Sequence, residues 1–222
     1  MRLYLDTAER AAWEELMPLG IFHGITTNPL LAHRAGLEYG AIDWREMAGR
    51  ARALGAQELH AQAAGPVEGY VEFTAALYEA GRAEGIETVV KVPLVPDAIR
   101  QVPAVKALGG KILMTCCYDA KQMLVAVALG ADYIAPYYGR MVEAGMDADA
   151  HMARMLAISR AGGGTCRVMA ASLRNPEQVT ALSLAGHDVF TIAPAVARAL
   201  LGDDLSAKAY AQFEAAAAGE GE

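Results

Sequence analysis

Eight short runs rich in apolar and β-branched residues recur along the chain, each followed by a segment of helical character. They are RLYLDT (2–7), HGITTN (23–28), ELHAQA (58–63), TVVKVP (88–93), KILMTCC (111–117), DYIAPY (132–137), CRVMAAS (166–172) and DVFTIAP (188–194). Segments such as AERAAWEELMPL, AKQMLVAVALGA and NPEQVTALSLAG lie between them. Several close on glycine, the residue that most easily turns left-handed at a helix end. Strand alternating with helix builds a parallel sheet. Eight such units in 222 residues predict an α/β chain folded as one closed (β/α)8 TIM barrel, a compact one beside the ~250 residues typical of that fold. The rival, an open doubly wound sheet, usually carries a glycine-rich turn after its first strand. Here DTAERAA stands in that place, and the strand count favours the barrel. No domain boundary is visible. Residues from about 203 to 222 exceed what a barrel needs and predict one further helix with an acidic tail, a candidate for packing on a neighbouring subunit.

Composition narrows the partners. The formal net charge of −7 argues against nucleic acid or an anionic membrane as the main partner, since both require a basic face. It leaves room for a small phosphorylated substrate, which needs only a local group of donors. No apolar run approaches the ~20 residues of a spanning helix. The N-terminus turns charged after six residues, so it does not read as a signal peptide, and a cytoplasmic location is the default expectation. Three cysteines, Cys116, Cys117 and Cys166, form no disulfide framework or zinc spacing and read as small core residues. The five histidines are scattered without paired ligand spacing, so no metal or other cofactor is expected. His60, two residues before Gln62, is the one placed to matter.

One residue violates the pattern. Lys91 stands inside TVVKVP, flanked by Val89, Val90 and Val92. The chain has five lysines against fourteen arginines, and only this one sits in a valine strand. Desolvating an ammonium is costly. A lysine so placed loses basicity, and its neutral amine adds to carbonyls to form a Schiff base. The protonated imine then draws electrons from the neighbouring carbon–carbon bond. The alternative is a buried ion pair, with Asp6 as the obvious partner.

In such a barrel the chemistry lies at the C-terminal ends of the strands. Those ends present Asp6, Thr26 with Thr27 and Asn28, Gln62, Lys91, Thr115, Tyr137 with Arg140 just beyond, Ser172 with Arg174 just beyond, and Thr191. Each has a plainer reading. Asp6 reads equally as a helix cap, and Asn28 as a turn residue before Pro29. Gln62 and Thr115 read as buried hydrogen-bond formers, and Tyr137 as core. Arg140 and Arg174 read either as solvated surface or, with Ser172, as a phosphate site in the late barrel loops.

The motifs LYLDT, GITTNP, VVKVP, APY followed by Arg140, and AASLRNP occur in the order found in the small transaldolase and fructose-6-phosphate aldolase family, which the chain resembles from Leu3 to about Phe213. The resemblance implies a metal-free class I aldolase barrel with Lys91 as the Schiff-base residue and Asp6 as its helper. It places Asn28 beside substrate hydroxyls, with Thr26 on the same strand end. Arg140 and Ser172 become phosphate contacts, and Arg174 falls where the family has a basic residue. Transaldolases of the family carry glutamate on the third strand and phenylalanine on the sixth, whereas the aldolases carry glutamine and tyrosine. Gln62 and Tyr137 therefore resemble the aldolase side, and with Thr115 they would hold the water that moves protons to and from the enamine. The sulfur-rich LMTCCY, the second proline of VPLVPD and the short alanine-rich last helix depart from the family pattern. The substrates implied are sugar phosphates or other ketoses and aldehydes, and the assembly implied is a homo-oligomer, a pentamer or decamer. Three functions stand at this stage: an aldolase cleaving fructose 6-phosphate, a transaldolase, and a barrel that binds a sugar phosphate without chemistry.

Overall fold

The computed structural model describes residues 1–219; the last three residues of the acidic tail lie outside the described part. In chain order the elements are β1 (Arg2–Asp6), α1 (Arg10–Leu16), β2 (Phe22–Thr26), α2 (Pro29–Arg34), α3 (Trp44–Ala53), β3 (Glu58–Gln62), α4 (Tyr70–Glu84), β4 (Glu87–Pro93), α5 (Pro96–Ile99) and α6 (Val102–Lys106). There follow β5 (Lys111–Cys117), α7 (Lys121–Ala128), β6 (Tyr133–Pro136), α8 (Tyr138–Glu143), α9 (Ala148–Ala161), β7 (Arg167–Ala170), α10 (Pro176–Leu184), β8 (Val189–Ile192), α11 (Pro194–Leu201) and α12 (Asp204–Ala217). All eight strands are parallel and close into a barrel in sequence order, β8 pairing back onto β1. Each predicted strand is present. The structure ends several of them one or two residues early, because the strand-end residues already turn towards the following helix.

Two of those turns are written in the sequence. Asn28 and Asn175 accept from the backbone N–H of Leu31 and Gln178, capping α2 and α10, and a proline follows each at the first helical position. That pairing satisfies an orphan N–H and presets the helical φ. The chain thereby leaves β2 and β7 and enters a helix within a few residues.

Alternation along each strand divides the apolar residues into two sets. Val90, Val92, Ile112 and Met114 face outward into the large layer between barrel and helices. Tyr4, Val89, Leu113, Tyr133, Met169 and Val189 fill the barrel itself. Lys91 is two residues on from Val89, so it is an interior residue, and it is only 5% exposed. Below it the interior is polar. Glu58, 2% exposed, accepts from the Tyr4 hydroxyl at 2.7 Å and the Lys111 ammonium at 2.8 Å. His60 Nε2 lies 2.9 Å from Glu58, and the Tyr133 hydroxyl reaches both carboxylate oxygens at 3.1 Å. Burial pushes the Glu58 carboxyl up, but His60, Lys111 and Tyr4 outweigh it and hold the group well below the usual carboxylate range. A buried charge with this many partners stays ionised and ties β1, β3, β5 and β6 together. His60 is thereby accounted for as part of this support, not as a ligand.

The extra helix predicted after the barrel is α12, capped by Asp203. No residue of it is buried, and Leu205, Tyr210 and Phe213 are 77, 64 and 70% exposed. Among the described residues no helix is long and apolar enough to cross a membrane.

Candidate active site

A cavity of about 120 Å³, open to solvent at its mouth, lies at the C-terminal end of the barrel. Eight of the residues singled out from sequence line it: Asp6, Asn28, Lys91, Tyr137, Arg140, Ser172, Arg174 and Thr191. Thr26 and Thr115 stand just behind them. Thr26 donates to Asp6 Oδ1 at 2.6 Å and lies 2.5 Å from the Thr191 hydroxyl, and Thr115 is 2.7 Å from the Tyr137 hydroxyl. Gln62 is next to Lys91 in the sheet register but does not line the cavity, and its recorded hydrogen bonds are made by its backbone, to the Tyr39 hydroxyl. The expected grouping of Gln62 with Thr115 and Tyr137 is therefore only two-thirds present.

Lys91 Nζ donates to the backbone carbonyl of Thr27 at 3.1 Å. Among the described residues it makes no ion pair, so the reading of a Lys91–Asp6 salt bridge does not hold. Burial pushes the lysine's pKa down, against a smaller upward pull from Asp6 and Cys116. A carbonyl orients the amine without neutralising a charge, which leaves its lone pair available once the proton is gone. The sign for activity follows. An amine of lowered pKa becomes a nucleophile at lower pH, so the acid limb of kcat/KM falls below the ~10.4 of a free lysine. A pH–rate profile checks this; a limb at the free-lysine value would contradict the burial argument.

Asp6 is not a helix cap. Helix α1 starts at Arg10, and the cap-like contact in this turn is made by Thr7, whose hydroxyl accepts from Glu9 N–H. Asp6 instead faces the cavity with one oxygen held by Thr26. Asn28 caps α2 through its Oδ1 and also lines the cavity.

Tyr137 sits where β6 turns into α8, and burial pushes its phenol up to about 12, a phenol held as the protonated donor at neutral pH. Its ring lies under the Arg140 guanidinium, 4.9 Å from centroid to Cζ. The rim on either side is conformationally unusual. Cys116 and Ser172 are the two non-glycine residues with positive φ among those described, at 59° and 61°. Left-handed backbone is disfavoured for side-chain-bearing residues and gathers at functional sites. The expectation that Cys116 is a small core residue is corrected: it is half-buried, with Sγ 3.9 Å from the Tyr137 hydroxyl. Cys117 and Cys166 are buried as expected. Gly139 is required by close approach, since a Cβ there would collide with the Ser172 carbonyl.

The charge of the cavity opposes that of the chain. Lys91, Arg34, Arg140 and Arg174 line it against one carboxylate, Asp6, in a protein of net charge −7. Arg174 is already engaged, both its Nε and Nη2 donating to Glu143 at 2.7 and 3.2 Å. Arg140 has no such partner among the described residues and donates only to the Tyr118 hydroxyl, at 3.3 Å. Sequence reading missed Arg34, Tyr39, Tyr118 and the Thr27 carbonyl. Arg34 and Tyr39 lie in a helix and a loop away from the strand ends, Tyr118 directly follows β5 but carries no charge to single it out, and a backbone carbonyl has no sequence signature. Among the described residues no cluster of three or more His, Cys, Asp or Glu side chains is placed to hold a metal ion.

A closed barrel that buries an amine of reduced basicity beside a carboxylate and a phenol is built for imine chemistry, the class of the Schiff-base aldolases. The chain belongs to the transaldolase and fructose-6-phosphate aldolase family: the family model described as "Transaldolase/Fructose-6-phosphate aldolase" matches residues 3–220. A probable transaldolase of Paracoccus denitrificans (strain Pd 1222) is 31% identical over 220 residues, covering 97% of this chain and 95% of its own. A probable transaldolase of Thermus thermophilus is 32% identical over 214 residues, covering 93% of each chain. Among solved structures, a mandelate oxidase superposes with a TM-score of 0.61 at 14% identity, over 88% of this chain and 66% of that one. A lactate oxidase of Pediococcus acidilactici gives 0.60 at 10% identity, over 90% of this chain and 65% of that one. At these identities the two oxidases share the barrel alone, and this chain spans about two-thirds of their length. The protein is a Schiff-base aldolase or transaldolase.

Proposed function

We propose that the enzyme is a class I aldolase that reversibly cleaves fructose 6-phosphate into dihydroxyacetone and glyceraldehyde 3-phosphate. The observation that carries this reading is the Tyr137 hydroxyl, bonded to Thr115 at 2.7 Å on the wall of the cavity that holds Lys91. The Lys91 amine adds to the C2 carbonyl, and loss of water gives the iminium. Asp6 takes the proton of the C4 hydroxyl, directly or through a water. The C3–C4 electron pair moves into the iminium, and glyceraldehyde 3-phosphate departs. The resulting enamine either waits for another aldehyde, which is transfer, or is protonated at C3 and hydrolysed, which is cleavage. The Tyr137 hydroxyl, held at the cavity wall by Thr115, supplies the proton for the second course, directly or through a water. Asn28 meets substrate hydroxyls, and Arg140 with Ser172 receives the phosphate. Arg174, tied to Glu143, acts from behind as a fixed positive charge.

Two observations favour the second reading, transaldolase. The curated relatives above carry that name, and Gln62, the other residue of the aldolase pattern, is not at the cavity wall. Borohydride reduction during turnover tests the imine common to both. A three-carbon adduct on the peptide containing Lys91 is expected, and no adduct with any ketose would return the chain to a non-catalytic binding role.

The largely exposed α12, none of whose residues is buried, motivates a further part of the proposal, assembly into a closed homo-oligomer through this helix, a pentamer or decamer by family resemblance. Light scattering on the full chain and on one with Leu205 and Phe213 replaced by serine decides it. A large assembly that falls apart in the variant is expected; a monomer in both would refute it.

A further inference from the structure

We propose that an anion held by Arg140 controls proton transfer at Tyr137, with Tyr118 as the positioning residue that links them. The phosphate end of a substrate then sets the rate of chemistry at its ketone end. The inference rests on the Schiff-base reading above.

Three groups locate the Tyr137 ring. Thr115 holds its hydroxyl at 2.7 Å, Tyr118 meets its edge with centroids 5.4 Å apart at 85°, and the Arg140 guanidinium covers its face at 4.9 Å. Tyr118 touches both Tyr137 and Arg140, since its own hydroxyl accepts from Arg140 Nη1 at 3.3 Å. Arg140 is the loosest member. It is exposed at the cavity rim and held by one long hydrogen bond, so most of the guanidinium's five N–H donors remain free. Its neighbour on the rim, Arg174, is instead paired with a carboxylate, Glu143, through Nε and Nη2. Hydrogen bonding to Tyr118 keeps Arg140 charged, its pKa raised above the ordinary arginine value.

An anion bridging Arg140 and Ser172 fixes the guanidinium against the β7 side of the mouth. A fixed guanidinium fixes the ring beneath it, and with it the hydroxyl at Thr115. Binding energy gathered at a remote group is in this way used at the reacting centre, which raises kcat and not only substrate affinity. The consequence is a site that is sluggish with neutral ketoses and faster when an anion occupies Arg140, even one not attached to the ketose.

Dihydroxyacetone in D2O with inorganic phosphite isolates the effect. The Lys91 amine condenses with the ketone and releases water. A C–H bond next to the iminium breaks, its electron pair forms the enamine, and its proton passes to the site. A solvent deuteron then re-forms the bond, and water hydrolyses the iminium. NMR follows deuterium entry, read for each protein as the rate with phosphite divided by the rate without. In the unmodified enzyme we expect saturating phosphite to raise exchange about tenfold. Arg140→Gln should give a ratio near one. Tyr118→Phe keeps the ring but loses the hydroxyl, and its ratio should fall to about a third of the parent's. No acceleration in the parent, or equal acceleration in Tyr118→Phe, overturns the inference. Absence of exchange in every protein is a different failure, one that overturns proton transfer at the enamine carbon and with it the aldolase reading, whereas borohydride trapping tests the imine separately.

Discussion

Lys91→Met lowers glyceraldehyde 3-phosphate release by about 10⁴-fold or more, the scale on which losing a covalent nucleophile acts. Methionine has nearly the length of the lysine stem, and the interior neighbours Val89 and Leu113 are apolar. The substitution therefore removes the amine without opening a cavity. It also removes a polar group that burial makes costly, which offsets the hydrogen bond lost at the Thr27 carbonyl. Thermal unfolding is expected at or above the parent's midpoint while activity and borohydride trapping both vanish. A midpoint several degrees lower would mean that Lys91 has a structural role instead, and retained trapping would place the imine on another lysine. Lys111 is the other lysine at the barrel interior, but it is bonded to Glu58 at the opposite end.

Tyr137→Phe separates the two possible fates of the enamine. The ring stays, with its face to Arg140 and its edge to Tyr118. The hydroxyl is lost, and Thr115 loses its partner at 2.7 Å. Removing a positioned proton donor costs about 10²-fold or more in the step it serves. Cleavage without acceptor should fall by that factor, whereas transfer to an added aldehyde, which needs no proton at the enamine carbon, should hold or rise. Measuring both rates on one preparation gives the ratio directly. An unchanged ratio would remove Tyr137 from proton transfer and leave a water on Asp6 as the donor.

How much of this was legible follows the reach of each interaction. The barrel was legible because its cause is local: each strand and each helix carries its own periodicity, and asparagine–proline pairs mark where strand becomes helix at residues 28–29 and 175–176. Lys91 was legible because one ammonium among valines is an energetic anomaly on any fold. The partners of these residues were not legible. Thr27 reaches Lys91 across 64 residues of sequence through a carbonyl, and Tyr118 reaches Arg140 across 22. Glu58 bonds residues up to 75 positions away from it, and from sequence it is an ordinary glutamate at a strand start. Cys116 was misread for a related reason. Alternation puts it on one face of a strand, but β5 is irregular against β6 between Met114 and Cys117, and its left-handed backbone turns it to the rim beside Tyr137.

The central claim is that the enamine formed on Lys91 is protonated in place. Incubation with fructose 6-phosphate, with and without erythrose 4-phosphate, and measurement of glyceraldehyde 3-phosphate test it most directly. Release at a comparable rate without erythrose 4-phosphate is the result expected of an aldolase with a working Tyr137. Release that requires erythrose 4-phosphate would contradict it and make the enzyme a transaldolase.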